Sequence, residues 1–293
     1  MDFFRLNREC DVRFLVCITI YRVALACNRR RRFRPGSLGL VFATVSEQSG
    51  GMVDTGDARQ EPDDVALLAF FRAIASRESA EVSRMLDAAP RLAAASIRVA
   101  ASRQDAEKYF LDSIKHYVYA GDTGLHMAAA TYHRATAALL VAKGAHAPAR
   151  NRRGAEPLHY AADGIPGSAH WDPDAQYSVI EFLIASGADP NACDNSGVAA
   201  LHRAVRTRCS AAVRALLDNR ADARLMNKSG STPLHLAVQN TGRGSAGTDM
   251  AKDEQRLIIA LLLGRGAKPT DTDANGKTVK AALTSNWIRD VLS

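Results

Sequence analysis

An eight-residue phrase recurs through the second half of the chain and fixes most of what it can fold into. It reads GSTPLHLA from Gly230, GAEPLHYA from Gly154, GVAALHRA from Gly197 and, in a worn form, GDTGLHMA from Gly121. From Gly121 the starts are spaced 33, 43 and 33 residues apart, and Gly276 follows 46 residues after Gly230. A recurring spacing of this size marks a solenoid, in which each unit is one supersecondary element stacked on the next. No unit buries its apolar face alone, so its neighbours must supply the other wall.

The letters have physical roles. Thr232 offers a capping hydroxyl and Pro233 sits at a first helical turn, where its missing N–H is not needed. Leu234 then faces the core. A second helix follows in each unit, with apolar residues on one face, as in Val179, Ile180, Phe182 and Leu183 or Val213, Leu216 and Leu217. It ends at Gly187 or its equivalent, a residue that accepts a left-handed backbone. A second landmark keeps step with the first: KGAHAPARN from Lys143, SGADPNACD from Ser186, NRADARLMN from Asn219 and RGAKPTDTD from Arg265.

Two landmarks at four positions resemble the ankyrin repeat, firmly over 121–293 and more faintly in the helical region before it. Arg- and Ala-rich bacterial members are the nearest in composition. The resemblance implies an all-α ankyrin-repeat solenoid of stacked helix-turn-helix units with short hairpin loops. Its units are 121–153, 154–196, 197–229 and 230–275, closed by a shortened terminal repeat at 276–293, where Trp287 is expected to cover the last apolar face. Residues 62–120 form a helical N-terminal capping region with an atypical first repeat: Phe70, Phe71 and Ile74, then Val82, Met85 and Leu86, keep helical spacing. Residues 92–115 are expected to insert further helix. Gly124 where Pro is usual, Ala199 and Ala200 in place of Thr-Pro, and Arg220 in place of the helix-ending Gly predict locally looser repeats.

The charge belongs mostly to one end. The chain of 293 residues carries a formal +7, but residues 1–51 hold nine Arg against four acids, leaving +2 for the rest. This basic N-terminal extension reads as a disordered leader, or as sequence upstream of a true start at Met52. Its apolar stretch, Val12 to Cys27, is broken by Arg13 and Arg22 and is too short to span a bilayer. An interfacial anchor flanked by Arg29–Arg34 is the alternative, giving a membrane-tethered or nucleic-acid-associated adaptor. Five cysteines without a C-x-x-C pair fit a reducing, cytoplasmic setting.

Chemical readings find little support in the sequence. His126, His159, His202 and His235 recur at the repeat interval, but helix layers lie roughly 8–10 Å apart, far beyond the about 2.0–2.1 Å of a zinc–nitrogen bond. In ankyrin repeats this histidine hydrogen-bonds across the inter-repeat loop, and the resemblance gives these four that structural role. GRGSAG, from Gly242, lacks the G-K-[ST] ending of a phosphate loop. No metal, cofactor or catalytic group is expected, and the chain does not read as an enzyme.

A binding role is what remains. The two long repeats carry insertions after their first helices, at 163–177 and 240–255, which one intervening repeat should hold roughly 20 Å apart. The first contains Trp171 and Tyr177, offered either as exposed aromatic surface or folded back on their own repeat. Ankyrin domains bind through hairpin tips and the exposed side of the first helices, which here places Arg152, Arg153, Asn195 and Lys228 at tips and Asp163, Arg206 and Gln239 at helix ends. The implied function is a protein-protein interaction adaptor, a monomer whose concave face and loop insertions take a protein with an acidic surface; nucleic acid and membrane are not the expected partners.

Overall fold

The computed structural model describes residues 62–102, 105–168, 171–239, 248–283 and 285–292. The basic extension at 1–51 and the GRGSAG stretch lie outside the described residues, which all fall in the unit Asp57–Ser293. Along that unit run α1 (Asp64–Ala75), α2 (Ser79–Ala88), β1 (Phe110–Leu111), β2 (His116–Tyr117), α3 (Gly124–Ala130), α4 (Arg134–Ala142), α5 (Pro157–Ala162), α6 (Pro173–Ala185), α7 (Ala200–Arg206), α8 (Ser210–Asp218), α9 (Pro233–Ala237), α10 (Asp249–Gly264) and α11 (Asn286–Val291).

The helices form two rows. First helices α1, α3, α5, α7 and α9 pack each against the next, and second helices α4, α6, α8 and α10 make a parallel row behind them. The leucine of each phrase, Leu125, Leu158, Leu201 and Leu234, is buried between the rows. Val179, Ile180 and Leu183 of α6 and Val213, Leu216 and Leu217 of α8 join the same continuous core.

The phrase opens on glycine for two reasons. Gly121, Gly154, Gly197, Gly230 and Gly276 have φ of +70° to +86°, a conformation that strains a side chain. The next hairpin also leaves no room: a Cβ on Gly230 would lie 2.7 Å from the Ala274 nitrogen, and one on Gly197 2.7 Å from that of Lys228. Each turn is fastened by a short polar side chain just before its tip. Asn151 Oδ1 accepts the N–H groups of Arg153 and Ala155, and Asp194, Asn227 and Asp273 repeat the arrangement.

The departures from the repeat pattern keep its geometry. Gly124 is where Phe70 packs, since an added Cβ would meet Phe70 Cε1 at 2.9 Å. Ala199 and Ala200 are buried at the start of α7. Arg220 takes the left-handed turn itself, with φ +69° beside +97°, +100° and +91° at Gly144, Gly187 and Gly266.

Among the described residues, 92–115 forms 3-10 turns and strand in place of the expected α-helix. After α2 come a short 3-10 turn at Pro90–Ala93 and a Ser96–Thr123 bridge, then a second 3-10 turn at Glu107–Tyr109 leading into the antiparallel pair β1 and β2. Tyr109 and Leu111 are buried on either side of half-buried Phe110, the period-two burial of an extended segment. Lys115, left-handed at φ +50°, turns the chain between the strands. At the far end Trp287 packs on the core with the Arg256 guanidinium 5.0 Å from its ring centroid.

Candidate functional site: the hairpin rim and the first-helix face

The hairpin tips are tied to one another. The Arg152 N–H donates to Ala120 O (2.7 Å), Asn195 N–H to Arg153 O (2.9 Å), Lys228 N–H to Ser196 O (3.3 Å) and Ala274 N–H to Gly230 O (3.1 Å). Side chains add a second ladder, since Asn195 Nδ2 donates to Arg152 O (3.0 Å) and Lys228 Nζ to Asn195 O (2.6 Å). Of the residues expected at tips, Arg152, Asn195 and Lys228 are therefore brought onto one rim, exposed.

The repeat histidines fix the register behind that rim. Nδ1 of His126, His159 and His202 accepts the N–H of Thr123, Glu156 and Ala199, each at 3.1 Å. That bond leaves the proton on Nε2, which donates onward to Ala155 O, Val198 O and Leu225 O respectively, at 3.0–3.2 Å. His235 Nε2 reaches Lys277 O at 3.1 Å in the same way. Burial lowers the pKa of His126 and His202 and takes His159 down to about 3, so these rings stay neutral and act as fixed hydrogen-bond links. Among the described residues no group of three or more His, Cys, Asp or Glu could hold a metal ion.

A buried polar cluster joins the first two hairpins. Asp122, fully buried, accepts from the Tyr160 hydroxyl (2.8 Å), Asn151 Nδ2 (2.9 Å) and the Tyr119 N–H (2.7 Å). Burial raises the Asp122 pKa, and the neighbouring His126 and these donors pull against that rise. His116 stacks edge-on against Tyr160 at 4.5 Å; burial and then the cations of Arg203 and Arg153 hold its pKa down at about 3.

The residue after each repeat histidine is Met127, Tyr160, Arg203 or Leu236, the first two buried and the last two half-buried. Arg203 pairs with Asp163 (3.0 Å) and with Asp194 (3.4 Å). Asp163 is thus engaged, whereas Arg206, one turn further on, and Gln239 are exposed. Above Tyr119 lie the guanidiniums of Arg153 and Arg152, 4.8 Å and 5.7 Å from the ring centroid.

The aromatic pair of the first insertion does not join this surface. Trp171 folds back on its own repeat, its Nε1 donating to Gln176 Oε1 (2.9 Å), while Gln176 Nε2 donates to Ala161 O (2.9 Å) at the end of α5. Tyr177 belongs to the second-helix row, with its hydroxyl on Asp218 (3.1 Å). Nor do the insertions stand apart. A Cβ on Gly167 would come within 2.7 Å of Met250 Sδ, and the Arg208 guanidinium donates to Ala251 O (3.3 Å), so the first loop reaches the start of α10 across the intervening repeat.

Sequence reasoning missed Tyr119, Arg203 and Gln176. Arg203 was signalled by its place directly after a repeat histidine. Gln176 was signalled by Gln255, which stands at the same distance before a helix-ending glycine and donates to Ala237 O (2.6 Å). Tyr119 lies outside the repeat and had no such signal.

Two rows of helices, hairpin tips laddered at one edge and histidines that in three of four units reach the next unit's backbone define a helix-turn-helix solenoid of the ankyrin class. Residues 173–273 match the family model for ankyrin repeats in three copies. Ankyrin repeat and SOCS box protein 16 of Mus musculus is 32% identical over 149 residues, covering 50% of this chain and 31% of that protein. The B-cell lymphoma 3 protein of Homo sapiens is 34% identical over 119 residues, 40% of this chain and 25% of that one. E3 ubiquitin-protein ligase KEG of Arabidopsis thaliana is 30% identical over 187 residues, 50% of this chain and 11% of the ligase. The chain thus spans a third or less of the length of these curated relatives. The chain carries ankyrin repeats, which in general mediate protein–protein interaction without chemistry of their own.

Proposed function

We propose that the protein is a non-enzymatic adaptor that docks a partner protein reversibly along the hairpin rim and the adjoining first-helix face, making and breaking no covalent bond. The observation that carries this reading is the pair Arg152 and Arg153: two guanidiniums on one aromatic ring at the rim, neither in an ion pair with a carboxylate among the described residues. Arg, Tyr and Trp dominate interface energetics, and a guanidinium pair held on one ring at the surface suits a partner with an acidic surface. Asn195, Lys228, Arg206 and Gln239 extend the footprint. Cys193 and Cys209, free thiols, are in keeping with a cytoplasmic setting. Among the described residues no helix is long and apolar enough to cross a membrane.

The test is affinity capture with the full chain as bait, beside Arg152→Glu with Arg153→Glu. Loss of the same captured protein in the double variant, with the helical signal and melting temperature kept, supports docking at the rim. Undiminished capture places the binding face elsewhere, and capture that depends on RNA would replace the reading with a nucleic-acid adaptor.

A further inference from the structure

The segment that sequence reasoning took for helix lies against the first helices α1 and α5. Aligned on the left-handed turn residues Arg77, Tyr132 and Arg208, the equivalent positions of α1, α3 and α7 are Arg72, Met127 and Arg203. With Tyr160 and Leu236 they form one row along the first helices. Met127 and Tyr160 are 0% and 3% exposed and belong to the core, whereas the Arg203 side chain is 17% exposed and Leu236 is half-buried. The segment 107–119 touches this row at two places. Arg72 donates to Lys108 O (2.9 Å) at one end, and His116 packs on Tyr160 at the other. Tyr109, Leu111 and Val118 are buried, so this segment is built into the fold. It ends at Tyr119, under the two rim arginines, and Arg152 also donates back to Ala101 O (3.3 Å).

We propose that 107–119 is a permanent occupant of the groove over the first two repeats, and that Tyr119 positions Arg152 and Arg153 beside it as a clamp for an extended acidic segment of the partner. This rests on the adaptor reading and specifies its site. A partner helix cannot lie in the filled half of the groove, which leaves the rim. Two planar forks held on one ring suit side-chain carboxylates, each taking two parallel hydrogen bonds. Protein is favoured over nucleic acid by charge: residues 52–293 carry only +2, and Arg203 and Arg224 are already spent on carboxylates, whereas nucleic-acid binding depends on many unpaired cations.

The probe is a peptide of ten glutamates with a terminal benzophenone, photo-crosslinked to the full chain and its adducts located by mass spectrometry. Adducts are expected within 117–120 and 150–154. Their yield should fall about tenfold in Arg152→Gln with Arg153→Gln and about threefold in Tyr119→Leu, and stay unchanged in Arg214→Gln on α8, with all four proteins melting alike. Adducts found only at Arg29–Arg34, a yield indifferent to the double substitution, or displacement of the peptide by single-stranded RNA of equal charge would overturn the proposal. If protein capture still depends on Arg152 and Arg153 while the glutamate peptide misses them, the acidic-segment inference fails and the adaptor reading stands. If capture ignores them too, both fail.

Discussion

Replacing Glu156 by threonine should stabilise the protein more as the pH rises. Glu156 opens α5 where the equivalent residues are Thr123, Ala199 and Thr232. It is 4% exposed, its Oε2 has no hydrogen-bond partner among the described residues, and the nearest cation is Arg150, 3.9 Å from Oε1 and itself half-exposed. Burial raises the Glu156 pKa from 4.5 to about 7, against the pull of Arg150. The folded state therefore holds this proton more tightly than the unfolded chain. Stability attached to the group is intact below the unfolded value of 4.5, falls as the pH rises to about 7, and is lost above it. At 1.36 kcal/mol per pH unit the full loss is about 3 kcal/mol, and partial solvation of Arg150 and the carboxylate brings it to about 2 kcal/mol. Threonine carries no charge and can accept the His159 N–H as a cap; any void it leaves costs the same at every pH. Urea unfolding of both proteins, followed by circular dichroism at about pH 5 and about pH 8, should show the advantage of Glu156→Thr growing by about 2 kcal/mol. An advantage that does not change between the two would mean that Glu156 ionises normally and that its burial has been misjudged.

Other substitutions separate backbone strain from packing. Gly187→Ala, at φ +100° with no atom within 4 Å, should cost about 1 kcal/mol from conformation alone, whereas Gly230→Ala, at φ +77° and against Ala274, should cost about 2–3 kcal/mol; equal shifts in melting temperature would refute the close hairpin approach. Arg220→Gly should stabilise by about 0.5–1 kcal/mol, because φ +69° is strained for arginine; a lower urea midpoint would contradict this. Gln176→Leu leaves Ala161 O and the Trp171 Nε1–H without their partner and should cost about 2 kcal/mol, with a shift in tryptophan emission reporting the freed ring.

The fold was legible because the phrase encodes tertiary contacts at short range. The opening glycine reports the approach of the next hairpin, the histidine reports a backbone carbonyl that in three of four units belongs to the next one, and both recur with the phrase. Whatever lies outside that interval was harder to read. In 107–119 apolar residues are so dense that helical and alternating spacing both fit, and only Tyr109 and Leu111, buried about Phe110, decide for the extended form. At Arg220 the sequence shows the missing glycine and not the left-handed turn that arginine makes there at a cost in strain. The insertions looked separate because one repeat divides them, and no local signal shows Gly167 reaching Met250. At the site the rim residues Arg152, Asn195 and Lys228 followed from the turn positions. Tyr119, which seats the arginines, did not, since it enters from the segment 107–119.

The most direct test of rim docking is hydrogen–deuterium exchange on the full chain, free and bound to a protein captured through it. Docking at the hairpin rim predicts slowed exchange at 117–120, 150–153, 195–196 and 228–229, with α6 and α8 unchanged. Slowing confined to those second-row helices, with the tips exchanging as in the free protein, would contradict it.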